Sequence, residues 1–160
     1  MLADRTAAAF GVWESGDRGG AQLVHVPGTW AMSTLHTPDP DDATAFYAAA
    51  FGWKAEPIAP GSPVTLCRLP GYVGGQPGQP IPRDVVAVMT AIEQEPVGPP
   101  VPPHWNVNFA VDDVGTIAAR AAELGGGVVI GPVDTSGFRS AVLIDPQGAA
   151  FSVSHPAPSP

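Results

Sequence analysis

The chain writes one pattern twice, and that repetition limits what it can fold into. The stretch WAMSTLHTPDPDDATAFYAAAFG from Trp30 and the stretch HWNVNFAVDDVGTIAARAAELGG from His104 lie 74 residues apart when Asp39 is laid on Asp113. Each opens on alternating positions, the period of a strand with one face against a packed layer. In the second copy Val107, Phe109 and Val111 alternate with Asn106, Asn108 and Ala110, so one face of that strand is polar. Each copy then reaches an aspartate whose side chain can accept from the free N–H groups of a helix's first turn. Pro40 follows Asp39 at the first helical position, where its missing N–H costs nothing. Ala43, Phe46, Tyr47, Ala50 and Phe51 mark the buried face of the first expected helix, and Val114, Ile117, Ala121 and Leu124 that of the second. Gly52 and the run Gly125 to Gly127 are the stops.

Short strands follow each helix. In the second copy they are expected at residues 128–130, 140–144 and 150–154, separated by Gly131-Pro132, Ser136-Gly137 and the turn Asp145-Pro146-Gln147-Gly148. In the first they are expected at 64–69, 72–75 and 85–92, between Pro-rich loops at 57–63, 76–82 and 96–103. The fold class is therefore α+β: paired βαβββ modules, one over residues 27–96 and one over 104–156, with a Pro-rich linker at 97–103 and a short tail at 157–160. Each copy buries its apolar face only against another element, so the two are expected to fold as a set.

An additional strand precedes them. ADRTAAAFGVW from Ala3 matches IDPQGAAFSVS from Ile144 at a constant offset of 141, with Asp, Ala-Ala-Phe and Val in register. Residues 1–26 thus read as the last strand of a preceding module, as in a longer tandem protein. A strand of this kind must pair somewhere, which leads to the expectation of a homodimer formed by strand exchange.

Charge and composition remove several function classes. The net charge is −8 with only seven Lys and Arg residues, so no basic stripe is available to track a phosphate backbone or an anionic membrane. Nucleic acid is not an expected partner, and neither is a membrane, because no apolar run approaches the roughly 20 residues that span a bilayer. The single cysteine, Cys67, forms no internal disulfide, builds no Cys-rich zinc site and reads as a small buried hydrophobe. The expected compartment is the cytoplasm. Although 19 Gly and 20 Pro residues are present, they cluster between periodic segments and read as loops. A core is available, since a chain of this length buries about 70% of its unfolded surface.

Two tandem units carrying DPDDATAFYAAAFGW in the first, and HWNVNFAVDDVGTIAARAAELGG with FRSAVLIDPQGAAFSV in the second, resemble the vicinal oxygen chelate superfamily. That superfamily includes glyoxalase I, extradiol dioxygenases and the bleomycin- and fosfomycin-resistance proteins. The resemblance covers residues 27–155 and implies sheets that curl around a ligand cavity. It also implies a metal, held by a His or Glu seven residues before each helix-cap Asp and by a Glu on the last strand, four residues after the Gly of the Asp-Pro-x-Gly turn. Met32, Asn106 and Ser152 stand at those positions. They are a poor set for a hard or borderline divalent ion, which takes imidazole and carboxylate. No metal and no other cofactor is therefore expected.

The residues left for a site are Met32, Thr34, His36, His104, Asn106, Asn108 and Ser152, with Ser154 beyond them and Trp30 or Trp53 at a rim. Strand alternation puts His36 on the face of Met32 and Thr34, and His104 on the face of Asn106. An apolar cavity with a few amides and hydroxyls suits a small organic molecule, as in a sequestering, resistance or carrier protein. The alternative is an enzyme of the same fold, a lyase, isomerase, cyclase or dioxygenase in secondary metabolism or detoxification. It would use His36 or His104 as a general base, or an off-pattern metal at His36, His104 and Glu93. Arg139 could meet an anion, although a lone Arg at a strand end is more often simply solvated. GYVGG at 71–75 lacks the strand-to-helix setting of a phosphate cradle. Trp105 alternates away from the cavity and belongs to the core.

Overall fold

The computed structural model describes residues 1–14, 16–17, 20–21, 23–74, 81–92, 100–135 and 137–157. Its elements are β1 (Leu2–Ala3), β2 (Ala9–Phe10), β3 (Trp30–Thr37), α1 (Pro40–Phe51), β4 (Lys54–Pro57), β5 (Val64–Arg68), β6 (Val85–Ala91), β7 (His104–Ala110), α2 (Val114–Glu123), β8 (Gly127–Thr135), β9 (Phe138–Ile144) and β10 (Ala150–Pro156). Two compact units result. Unit 1 comprises Met1–Gly20 with Ser33–Trp105, and unit 2 comprises Ala21–Met32 with Asn106–Pro160.

In unit 1 the strands run β4-β5-β6-β3. β4, β5 and β6 form an antiparallel meander, and β3 lies parallel to β6 with Thr34 beside Val88 and His36 beside Thr90. Unit 2 has the same order, β8-β9-β10-β7, with β7 parallel to β10 and Asn108 beside Ser152. The fold is α+β, and the βαβββ pattern occurs twice.

The local chemistry follows the sequence closely at the helix starts. Asp39 accepts from the Asp42 N–H at 3.0 Å and Asp113 from the Thr116 N–H at 2.6 Å. Gly52 closes α1 at φ 73°, the left-handed conformation that costs glycine least. At Gly126 the requirement is space: a Cβ there would collide with the Ile144 carbonyl oxygen.

Three expectations fail. Tyr72 to Gly74 form no strand; the remainder of 72–75 and most of the loops at 76–82 and 96–103 lie outside the described residues. The strand is instead β4, directly after α1, which pairs with β5 across a turn closed by Ser62 N–H to Ala59 C=O at 3.0 Å. Backbone pairing there outweighs the weak apolar content of Lys-Ala-Glu-Pro. Ala50 is exposed, and Leu124 is 62% exposed because it caps α2, where the chain turns away.

Each unit has its own core on the helix side of its strands. In unit 1, Leu35, Cys67, Ala87 and Met89 pack with Ala43 and Tyr47 of α1, and burial pushes the Cys67 thiol up to about 11. In unit 2, Val114 and Ala118 of α2 pack on Ala141, Leu143 and Val153. Trp105 joins the core as expected, its indole N–H donating to the Tyr47 hydroxyl at 3.1 Å.

Residues 2–10 form a hairpin whose geometry can be compared with that of residues 143–151. β1 pairs with β2 in register Leu2 with Phe10 and Ala3 with Ala9, the same pairing as Leu143 with Phe151 and Ile144 with Ala150. The turns agree in their hydrogen bonds. Asp4 Oδ1 accepts from the N–H groups of Thr6 and Ala8, as Asp145 Oδ1 accepts from those of Gln147 and Ala149. Ala7 takes φ 77° where Gly148 takes 88°. Strand exchange is not needed to satisfy this segment: β2 is paired within the chain, and Phe10 lies against Phe46, Tyr47 and Phe51 of unit 1 at 5.8–6.2 Å between ring centroids.

β8 is the last strand of its sheet. Its pairing with β9 shifts register between Val128 and Ile130 and again between Ile130 and Val133, around Gly131-Pro132. A proline is tolerated at such a position because it lacks the N–H that a ladder would use.

Candidate functional site

The expected site residues separate into two groups, one in each unit. Thr34, His36 and His104 belong to unit 1, and Met32, Asn106, Asn108 and Ser152 to unit 2.

In unit 1 the imidazoles of His36 and His104 stack, with centroids 4.7 Å apart and planes 10° from parallel. His104 is anchored: its Nδ1 lies 2.8 Å from the Pro102 carbonyl oxygen, which can only accept, so Nδ1 carries a hydrogen. His36 has its pKa lowered, first by burial and second by the neighbouring His104, since both disfavour the charged form. Thr34 is half-buried beside Val88.

In unit 2 the polar face of β7 and β10 forms a stripe. Asn106 is 6% exposed and Ser154 5%, while Asn108 and Ser152 are half-buried. Asn108 Nδ2 donates to Ser154 Oγ at 3.0 Å. The amide oxygens Asn106 Oδ1 and Asn108 Oδ1 are both buried and have no donor among the described residues. A buried acceptor left without a donor costs about 1–3 kcal/mol, so these two oxygens mark a place where the fold forgoes stability. Met32, 4% exposed, is an apolar member of the same unit. The stripe continues outward: Ser154 neighbours Ser140, Ser152 neighbours Val142, and beyond them Val133 and Ile130 stand 43% and 49% exposed. The amides and hydroxyls thus lie on the inner strands, with an apolar margin on β8.

Sequence reasoning did not place the margin at Ile130 and Val133, because 128–130 was read as a short strand ended by Gly131-Pro132. Ser154 was only an outlying member, and the structure makes it the partner of Asn108. Trp30 lies against His25 of the same unit at 5.5 Å with the rings tilted by 57°, and Trp53 stacks on Tyr47 at 5.3 Å. Arg139 is held by Asp134 at 3.0 Å, the solvated strand end.

The metal implied by the family resemblance does not fit these residues. Methionine, asparagine and serine occupy the ligand positions, and among the described residues no three His, Cys, Asp or Glu side chains converge. Glu93, the carboxylate considered beside His36 and His104, lies outside the described residues.

The model of the glyoxalase-like domain matches residues 32–154. A Mycobacterium tuberculosis protein provisionally named glyoxylase CFP32 is 40% identical over 162 residues, covering 99% of this chain and 56% of the relative. The anthracycline biosynthesis protein DauV of Streptomyces sp. strain C5 is 36% identical over 164 residues, covering 96% of the chain and 50% of the relative. The chain therefore spans about half the length of each. Among solved structures, a variant of Streptomyces coelicolor methylmalonyl-CoA epimerase in complex with 2-nitronate-propionyl-CoA superposes with a TM-score of 0.50 at 17% identity, over 82% of this chain and 97% of that one. That likeness is one of fold. With more than half its length matched by the domain model, the chain belongs to the glyoxalase-like domain family of the vicinal oxygen chelate superfamily.

Proposed function

We propose that the protein binds a small organic molecule on the polar stripe of unit 2 without a metal, as a sequestering, resistance or carrier protein does. The supporting observation is the pair of buried, donorless oxygens on Asn106 and Asn108. Side chains two apart on a strand lie about 7 Å from one another, so a ligand carrying two hydroxyl or amino donors on one edge satisfies both. The exposed Ile130 and Val133 suit the apolar body of such a molecule. The chain's acidity and the absence of any cation among these residues argue against an anionic ligand. An aromatic molecule with phenolic hydroxyls meets every condition, and the name of the DauV relative points to the same chemical class. Homodimerisation is carried with this reading, and a single-chain mass in light scattering would remove it.

The test uses a dihydroxynaphthalene with both hydroxyls on one edge, followed by calorimetry and thermal shift. Binding is expected to raise the melting temperature, as linkage requires of a native-state ligand. Asn106→Leu should abolish binding while leaving the protein at least as stable, because it removes a buried unsatisfied acceptor. A residue that was merely structural would cost stability when replaced. Unchanged affinity in Asn106→Leu would refute the reading. So would one equivalent of Zn²⁺, Ni²⁺, Mn²⁺ or Fe²⁺ per chain in elemental mass spectrometry of protein purified without chelator.

A second reading rests on the histidine stack. With His36 held neutral near pH 7, the pair could accept a proton from a bound substrate, which would make the protein a metal-free lyase, isomerase or cyclase. Turnover retained in a His36→Ala, His104→Ala double variant would eliminate it.

A further inference from the structure

Unit 1 holds a concavity of about 640 Å³ between α1 and the N-terminal hairpin, and no residue of the polar stripe lines it. Six of its lining residues are aromatic, namely Phe10, Trp13, Tyr47, Phe51, Trp53 and Trp105, and none of the described lining residues is charged. Tyr47 stacks on Trp53 at 5.3 Å, and Trp105 meets both edge-on at 5.6 and 6.4 Å. The hairpin is fastened to α1 by the Tyr47 hydroxyl, which donates to Asp4 at 3.0 Å, and by Arg5, which pairs with Asp42 at 3.0 Å. Beyond Phe10 it departs from its twin in unit 2. Residues 152–154 continue β10 between β9 and β7, whereas Gly11, Val12 and Trp13 lie in no strand and border the concavity. Val12 and Trp13 are 64% and 67% exposed. The indole N–H groups of Trp13 and Trp53 have no acceptor among the described residues.

We propose that this concavity is a second binding site, for a neutral, flat aromatic molecule bearing a carbonyl group. Its size falls in the range of small-ligand pockets, about 300–1,000 Å³, whose walls are mainly apolar and aromatic. Such walls favour an aromatic guest, because edge-to-face and offset contacts add to the gain from burial. With no charge among the described lining residues, an anion entering the site would lose its hydration without a partner. An ammonium cation needs open ring faces, and Tyr47 and Trp53 turn theirs on each other. The two indole N–H groups can only donate, so the polar atom of the guest that answers them is an acceptor, and a carbonyl supplies one without charge. The requirement is opposite to that of the stripe, where Asn106 and Asn108 offer oxygens and take donors. Residues 9–13 act as one wall of the site, which gives the N-terminal hairpin a role beyond its own pairing.

The test titrates the protein with Prodan, a neutral dimethylaminonaphthalene ketone whose emission moves to shorter wavelength in apolar surroundings, and reads energy transfer from tryptophan to the dye. A blue-shifted signal is expected, and it should persist in Asn106→Leu, which removes a stripe residue and leaves the concavity intact. Trp13→Ala should weaken dye binding about tenfold, the scale of an aromatic contact together with a hydrogen bond, without moving the melting temperature, since Trp13 is exposed. Trp53→Phe keeps a ring and removes the N–H, and should weaken binding by a similar factor. Absence of binding, or unchanged affinity in either tryptophan variant, would overturn the proposal. Loss of binding in Asn106→Leu would also overturn it, by placing the dye on the stripe, and displacement of the dye by tetramethylammonium would do so by making a cation the guest.

Discussion

The hairpin at the N-terminus and the hairpin between β9 and β10 share a turn and differ in nearly everything around it. Asp4 and Asp145 organise the same five-residue reversal, yet Asp4 is 6% exposed and also accepts from the Tyr47 hydroxyl at 3.0 Å, whereas the Asp145 bonds lie at the surface. Ala8 is fully buried and its counterpart Ala149 is exposed, while Leu2 is exposed and its counterpart Leu143 is not. The turn is thus set by local hydrogen bonding, and burial is set by what packs on it. The N-terminal hairpin anchors through its tip and Phe10, and the other through Leu143 and Val153.

The strongest way to break that contrast is through the leucines. Leu143→Ala should cost about 2–5 kcal/mol, the range for a fully buried leucine. Leu2→Ala should stay within about 0.5 kcal/mol, as exposed substitutions do. Urea midpoints for the two variants measure both, and equal losses would mean that the hairpins are anchored alike. The aspartates reverse the order. Asp4→Ala strands a buried Tyr47 hydroxyl and the N–H groups of Thr6 and Ala8, and should cost about 1–3 kcal/mol. Asp145→Ala leaves its groups to water and should cost about 1 kcal/mol or less.

The turn's left-handed position sharpens the comparison by sign. Ala7→Gly relieves a strained non-glycine φ and should be neutral or stabilising, whereas Gly148→Ala should destabilise by about 1 kcal/mol. Thermal melts of the two variants should move in opposite directions. The smallest effect is at alkaline pH. Burial, and secondarily the nearby Asp4 carboxylate, raise the Tyr47 pKa well above its ordinary value near 10, against the donated Trp105 hydrogen bond, which lowers it. A raised folded value means that this contribution to stability is full below pH 10 and is lost as pH climbs from there toward the folded value. Tyr47→Phe should flatten the stability-pH curve above pH 10, and Asp145 variants should leave it unchanged.

Much of this arrangement was legible in the residues themselves. Helix starts at Asp39 and Asp113 could be read because a capping carboxylate acts within three residues. The turn of residues 4–8 could be read because its bonds are local and its twin stands 141 residues on. β4 was not legible: Lys54-Ala-Glu-Pro has no strand signature, and its pairing with β5 is decided by register across a Gly-Pro loop. The polar face of β7 follows from alternation, so Asn106 and Asn108 can be read as sharing a face, whereas the place of Ser152 beside Asn108 is given by the parallel register of β7 and β10. That two of their oxygens lack donors could not be read, since satisfaction depends on the geometry of Ser154 and on everything that buries Asn106. The histidine stack falls between these cases, because alternation gives the faces of His36 and His104 but not their separation.

The register shifts around Gly131-Pro132 have a consequence for the protein in concentrated solution. β8 presents Val128, Val129, Ile130 and Val133 at 43–57% exposure on the open border of a sheet, a composition that templates cross-chain fibrils when it is flat and continuous. Two kinks and one missing amide hydrogen interrupt that border midway, so an incoming strand finds only short runs to match. The proline thereby breaks the edge where Val128, Val129, Ile130 and Val133 would otherwise offer a continuous ladder to another chain.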